Sequence, residues 1–370
     1  MQSLRFSIIQ GPRHRADRGE TAGQAWKRFI DDAILADRLG YDGFMSGEHH
    51  FSFASGVSSP YIFLAEAAAR TERIRVGTSV ACLPFHNPIR LAEDIAAVDI
   101  VSGGRFDFGF GVGSQWEEFN TFGIDPKERH ARTWEMADLI DRCLHGGEEV
   151  FSHEGRYYRF PEIRWIFDPI QQRVPFFWGG FGPQGARKAG ERGYELLSYD
   201  FTHEYANGLA ARSERIEDHL VGFVHLTSIA RTREAAWQAV AEPATWVNNI
   251  YGTRRELDGS LPDSANAGVT QEDVYRDAIG PRKGQFTPFF GTPDDAIEHF
   301  LAMVRGETPL GFVNHIGLEV HTPGADPLDV HRTMTLFAQE VMPVLREEAR
   351  KVRARLGGVA EQPPRDPARV

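Results

Sequence analysis

Cysteine is scarce. The 370 residues include only Cys82 and Cys143, which excludes a disulfide framework and makes a reducing cytoplasm the expected compartment. An excess of positive charge is also missing. Lys and Arg number 41 against 52 Asp and Glu, for a formal charge of −11. Binding nucleic acid or an anionic membrane needs concentrated basic side chains, so neither partner is expected. No run approaches the ~20 apolar residues of a membrane span. The opening MQSLRFSIIQGPRH lacks the apolar core and small-residue cleavage site of a secretory signal. HExxH and spaced Cys/His sets are absent, so no metal is expected. What the chain does have is glycine, 37 residues, with 21 prolines, the punctuation of many tight turns.

Between those turns, strand-like and helix-like stretches alternate. Strands are predicted over Leu4–Ile9, Tyr41–Met45, Ile74–Leu83, Arg105–Val112, Pro175–Gly179, Glu195–Ser198, Gly222–Ile229 and Phe312–Val320. Helices are predicted over Gln24–Leu39, Pro60–Arg70, Pro88–Val101, Pro126–His145, Pro183–Arg192, Glu204–His219, Thr232–Asn248, Pro293–Arg305 and Pro327–Arg355. Gly40 suits a left-handed C-cap, Asn87 an N-cap, and several helices carry proline in their first turn. Eight strands, each followed by a helix, imply a parallel sheet closed into an α/β (β/α)8 TIM barrel. Glu149–Val174 reads as irregular. Gly252–Gln285 is polar and too long for an ordinary connection, so it is a lid or disordered. One barrel domain over 1–356, with this insertion near 252–285, and a loosely held tail over 357–370 are expected.

In such a barrel the C-terminal strand ends hold the site. Glu48-His49-His50 follows strand two. Adjacent histidines on an extended segment point opposite ways, so one imidazole can face the barrel mouth, with Glu48 able to orient it; the alternative is surface packing. Gly109, Gly111 and Gly113 strip side chains from one face of strand four, either to let a flat ligand reach the backbone or to turn a tight barrel corner. Gly180-Phe181-Gly182-Pro183-Gln184-Gly185 opens a helix. Its spacing matches a dinucleotide fingerprint, but four βα units precede it, so a phosphate site on a barrel loop is preferred. A ligand-free turn is the alternative. Cys82 lacks a local histidine and reads as buried filler.

The runs Leu39-Gly40-Tyr41-Asp42-Gly43-Phe44, Glu48-His49-His50-Phe51, Arg73–Thr78, Leu83-Pro84, Asn87–Asp94, Ser102–Phe106, Phe122–Asp125, Gly291-Thr292-Pro293 and Val341-Met342-Pro343 carry a resemblance. Together they resemble the luciferase-like flavin-dependent monooxygenases, in the subgroup of the bacterial luciferase α chain. The resemblance implies a barrel that assembles as a homodimer or a higher homo-oligomer and takes reduced FMN from a separate flavin reductase. It also implies dioxygen addition at the flavin C4a, and a peroxyflavin that oxygenates an apolar organic substrate. By resemblance the catalytic group is His49, with Glu48 and His50 beside it, and a cis peptide at Ser79-Val80 supports the flavin ring. The cofactor-binding set is Ser79, Val80, Gly111, Gly113, Gly180, Phe181, Gly182, Gly185 and Ser198.

The chain departs from that pattern at Val112, Phe181, Gly182 and Gly111. Phosphate binding then leans on backbone N–H groups, with Arg105 or Arg187 as helpers, and light emission does not carry over. Phe51, Phe53, Trp116, Trp178 and Tyr199 are the aromatic residues expected near the mouth. Two further readings stay open: a deazaflavin- or nicotinamide-dependent oxidoreductase of the same fold, and a flavin-binding relative without catalysis.

Overall fold

The computed structural model describes residues 3–51, 57–147, 149–197, 201–260, 268–280, 288–308 and 311–355. The elements run β1 (Arg5–Ile9), α1 (Ala22–Leu39), β2 (Gly43–Ser46), α2 (Pro60–Ala69), β3 (Arg75–Thr78), β4 (Ala81–Cys82), α3 (Pro88–Ser102), β5 (Phe106–Gly111), α4 (Trp116–Phe122) and α5 (Arg129–His145). They continue as β6 (Val150–Glu154), β7 (Arg159–Arg164), β8 (Phe176–Trp178), α6 (Pro183–Arg192), β9 (Glu195–Leu197), α7 (Thr202–Ala210), β10 (Val221–Ile229) and α8 (Arg233–Gly252). The last are α9 (Gln271–Ile279), β11 (Phe289–Gly291), α10 (Pro293–Val304), β12 (His315–Glu319), α11 (Pro327–Leu336) and α12 (Met342–Arg355).

Eight strands close in the order β1-β2-β3-β5-β8-β9-β10-β12, with β12 pairing back to β1 and every pair parallel. This is the expected (β/α)8 barrel. Phe6, Phe44, Val76, Phe106, Phe108, Phe110, Leu196 and Ile316 are buried on these strands and join the helices in one core.

Local chemistry sets the helix ends. Thr21 accepts from the Gln24 amide in a capping box, and Gly40 ends α1 in the left-handed region. The Asn87 side chain accepts from the amides of Ile89 and Arg90, and Pro88 occupies the first turn of α3. Each satisfies amides that a helix start leaves without partners.

Five expectations need correction. Glu149–Val174 contains an antiparallel hairpin, β6–β7, whose residues are mostly exposed apart from Phe151 and Ile163. The third strand is interrupted: β3 ends at Thr78 and β4 resumes pairing with β5, the cis peptide expected at Ser79-Val80 lying between them. A short helix, α4, precedes the one expected at Pro126. The helix expected to reach His219 ends at Ala210, because Ser213 takes a positive φ of 59°. The last helix is continuous, but Phe337–Val341 widens into a π-turn just before Pro343, a residue without an N–H for the regular ladder.

Within 252–285 the described residues comprise the last residue of α8, a turn over 253–260, and 268–280, which contains α9. The segments 261–267 and 281–287, like the tail 357–370, lie outside the described residues.

Candidate active site

The C-terminal strand ends surround a cavity of about 270 Å³. Its wall includes Gln10, Arg13, Gly47, Glu48, His49, Ser79, Val80, Gly111–Ser114, Gly179–Phe181, Leu197, Val224, Tyr251 and Glu319. His50, Gly182 and Gly185 are not part of this wall, and Ser198 lies outside the described residues.

His49 and His50 separate as the alternation of an extended segment requires, but Glu48 does not orient His49. The Glu48 side chain is fully buried. It takes His50 Nε2 at 2.8 Å, His86 Nε2 at 2.7 Å and the Cys82 amide at 2.8 Å. Burial alone pushes this carboxyl up. The bonds from His50 and His86, the His86 charge and the Cys82 amide outweigh it and hold the pKa at about 2. Cys82 is buried beside Glu48 on the cavity wall, and burial followed by that negative charge pushes its thiol well up.

The carboxylate behind His49 is Glu118, on the helix the sequence did not reveal. Its side chain is fully buried. Oε1 accepts the His50 amide at 2.8 Å and lies 3.3 Å from His49 Nδ1. Gln115 Nε2 also contacts Nδ1. One ring nitrogen cannot accept from the amide and donate to the carboxylate at once. We assign the proton to Nδ1, where it faces the buried Glu118 carboxylate, and the Gln115 amide oxygen then turns to the ring. Nε2 is then the basic nitrogen of His49.

The glycines have separate tasks. A Cβ on Gly111 would stand 2.9 Å from Val80 Cγ2, and one on Gly179 would also strike Val80. These two glycines therefore seat the Val80 side chain, which lines the cavity. Gly109 packs against the Thr78 carbonyl instead, so the bare face of strand four serves strand packing, and only its end reaches the cavity. Gly113 has φ 73° and lies against Phe85 and Phe119. Gly180 and Gly185 both cover the Trp178 indole, where a Cβ on Gly185 would come within 2.6 Å of the ring. Gly182 has φ 104°, open space around it, and stands at the start of α6, which has no side-chain cap.

Other expected helpers are elsewhere. Arg105 bonds the carbonyls of Ala68, Thr71, Ile74 and Ser102 at the far end of the barrel. Arg187 is exposed and pairs with Glu191. Trp178 is fully buried and stacks on Trp134. Phe51 is exposed against His50 and Phe122, and Trp116 lies under Arg255. Phe53 and Tyr199 lie outside the described residues. Sequence reasoning missed Gln115, Glu118, His86, Arg13 and Glu319. Glu118 offered one signal, an acid flanked by Trp116 and Phe119.

Residues 4–307 match the family model described as luciferase-like monooxygenase. The chain belongs to that family. This luciferase-like monooxygenase is thus an enzyme, an oxidoreductase that depends on a flavin. It is 29% identical to the 4-hydroxyprotoasukamycin monooxygenase of Streptomyces nodosus subsp. asukaensis, over 98% of each chain. It is 31% identical to the oxygenase component of the flavin-dependent trigonelline monooxygenase of Acinetobacter baylyi, over 47% of this chain and 48% of that one. It is 27% identical to the F420-dependent glucose-6-phosphate dehydrogenase of Intrasporangium calvum, over 86% of this chain and 95% of the other. Among solved structures, the monooxygenase RslO1 of Streptomyces bottropensis superposes with a TM-score of 0.74 at 25% identity, covering 92% of this chain and 99% of that one. Among the described residues of the luciferase-like monooxygenase, no helix is long and apolar enough to cross a membrane.

Proposed function

We propose that the chain is the oxygenase of a two-component system, taking reduced FMN from a separate flavin reductase in the cytoplasm and oxygenating an organic molecule with dioxygen. The observation that carries this reading is the pairing of His49 on the cavity wall with the buried carboxylate of Glu118 behind it. A storage protein has no need of an acid/base group with its proton fixed in this way.

The residues suit FMN. The uncapped first turn of α6 and the backbone of Gly180–Gly182 offer N–H groups to a phosphate, and Gly182 lets the chain approach closely. Val80, Val112, Leu197 and Val224 supply apolar surface for a flat ring. Reduced flavin, when bound, supplies the electrons that activate dioxygen. His49 then accepts or returns a proton at Nε2, while Glu118 holds Nδ1–H and stabilises the charged ring.

The second reading is hydride transfer with a deazaflavin, supported by the similarity to the F420-dependent relative. Titrating the protein separately with FMNH2, reduced F420 and NADPH under anaerobic conditions, then admitting oxygen, tests both. Tight binding of FMNH2 with slowed flavin reoxidation is expected. Tight binding of F420 without an effect on FMNH2 reoxidation would establish the second reading instead.

A further inference from the structure

Across the mouth from the glycine wall, the cavity is not apolar. Arg13, four residues past β1, and Glu319, the last residue of β12, both line it and form an ion pair from Arg13 Nη2 to Glu319 Oε1. Their side chains are only 11% and 20% exposed. That bond engages one of the five N–H groups of the guanidinium and one carboxylate oxygen. Tyr251, the penultimate residue of α8, lines the same side. Removing two charges this far from water gains little stability over apolar residues of similar volume, so packing does not explain the pair.

We propose that Arg13 and Glu319 form the specificity-determining pole of the cavity and hold a neutral group on the substrate that both donates and accepts a hydrogen bond, a hydroxyl above all. The pair carries no net charge. An anionic head would face Glu319 and a cationic head would face Arg13, whereas a hydroxyl accepts from the guanidinium and donates to the carboxylate. The substrate is then amphipathic: an apolar body along Val80, Leu197 and Val224, and a polar end at Arg13 and Glu319. This replaces the purely apolar molecule that the sequence suggests, and it rests on the reading of this cavity as the substrate and flavin site.

The full-length protein is titrated by calorimetry with 2-naphthol, 2-methylnaphthalene and 2-naphthoate, with no flavin present, and separately with FMN. The wild type binds 2-naphthol at least about tenfold more tightly than either analogue, because a site built for a hydroxyl rejects ligands without one. Arg13→Met combined with Glu319→Leu removes both charges together and leaves neither unpaired. In that double variant the preference falls below about threefold, while FMN affinity stays within about twofold of the parent. Should the double variant not fold, Glu319→Gln leaves the Arg13 charge unbalanced and is expected to shift the preference from 2-naphthol towards 2-naphthoate; an unshifted preference overturns the proposal.

An unchanged preference, or tighter binding of 2-naphthoate than 2-naphthol to the wild type, overturns the proposal. So does a tenfold loss of FMN affinity in the variant, which gives the pair to the flavin. If the wild type fails to bind reduced FMN under anaerobic conditions, the monooxygenase reading fails, while the naphthol comparison still decides the role of the pair.

Discussion

Two neighbouring imidazoles have different partners. His49 lines the cavity and backs onto Glu118, whereas His50 bonds Glu48 and packs edge-on against Phe122. Acid–base groups typically contribute about 10²–10⁴-fold to rate. His49→Ala is expected to lower product formation by a factor in that range, with FMN affinity little changed and peroxide release increased. His50→Ala takes a donor from a buried carboxylate, an omission that costs about 1–3 kcal/mol. It is therefore expected to lower the melting temperature while each folded molecule keeps its rate. Product assays, peroxide assays and thermal melts on both variants separate the roles, and parent-rate oxygenation by His49→Ala would remove the assignment. The histidine pair is legible in the sequence because few other residues titrate near neutrality. Glu118 is not, since an acid in the first turn of a short helix normally reads as a solvated charge favoured by the helix dipole. Burial decides its role, and burial depends on where α4 lands.

At the scale of elements, α6 and the loop before it separate two uses of glycine that look alike in the sequence. Gly185 makes room for the Trp178 indole, whereas Gly182 holds a backbone conformation that side chains rarely adopt. Gly185→Ala is expected to destabilise the fold, because the new methyl has nowhere to go. Gly182→Ala costs about 1–3 kcal/mol from the backbone alone, because φ 104° with ψ 149° is a region essentially reserved for glycine, but it also moves the amides at the start of the helix. It is expected to weaken FMN binding about tenfold with a smaller change in melting temperature. Equal FMN affinity in Gly182→Ala and the parent would send the phosphate elsewhere. The barrel strands are legible because they are short apolar runs, several of them closed by glycine or proline, as at Gly47, Pro84, Gly113 and Gly179. The β6–β7 hairpin is not, because its faces are mostly exposed and carry no apolar alternation. The break in the third strand is not legible from pattern, because Gly77, Thr78 and Ser79 read as ordinary strand residues; only the family resemblance marks the cis bond at Ser79-Val80.

For the molecule as a whole, the barrel closes where β12 meets β1, and a buried charge stands beside that seam. Asp32 of α1 accepts from Gln10 Nε2 at 3.0 Å, just past β1, and lies 2.8 Å from both His321, just past β12, and His331 of α11. It therefore joins the first and last βα units. Burial pushes the Asp32 carboxyl up, but the two histidine bonds outweigh it and lower the pKa. The bond to Asp32 raises the pKa of half-exposed His331 more than its burial lowers it, with the charges of Asp32 and Asp31 assisting. Burial lowers the pKa of His321, with Arg28 and Arg13 adding to the effect and Asp32 opposing it. Above about pH 6.5 His321 is neutral whether the chain is folded or not, so it adds nothing further there. His331 is the opposite case: its contribution is complete below about pH 6.5 and is lost as pH rises through its higher folded value. Asp32→Asn is expected to cost about 3–5 kcal/mol, the usual range when one partner of a buried ionic set is removed. It is also expected to flatten the alkaline decline of stability. Urea midpoints for the parent, Asp32→Asn and His331→Ala at several values between pH 6.5 and pH 8.5 measure both effects, with His219 titrating equally in all three. A parent and an Asp32→Asn variant with parallel alkaline slopes would mean that His331 draws no charge-dependent stability from this seam.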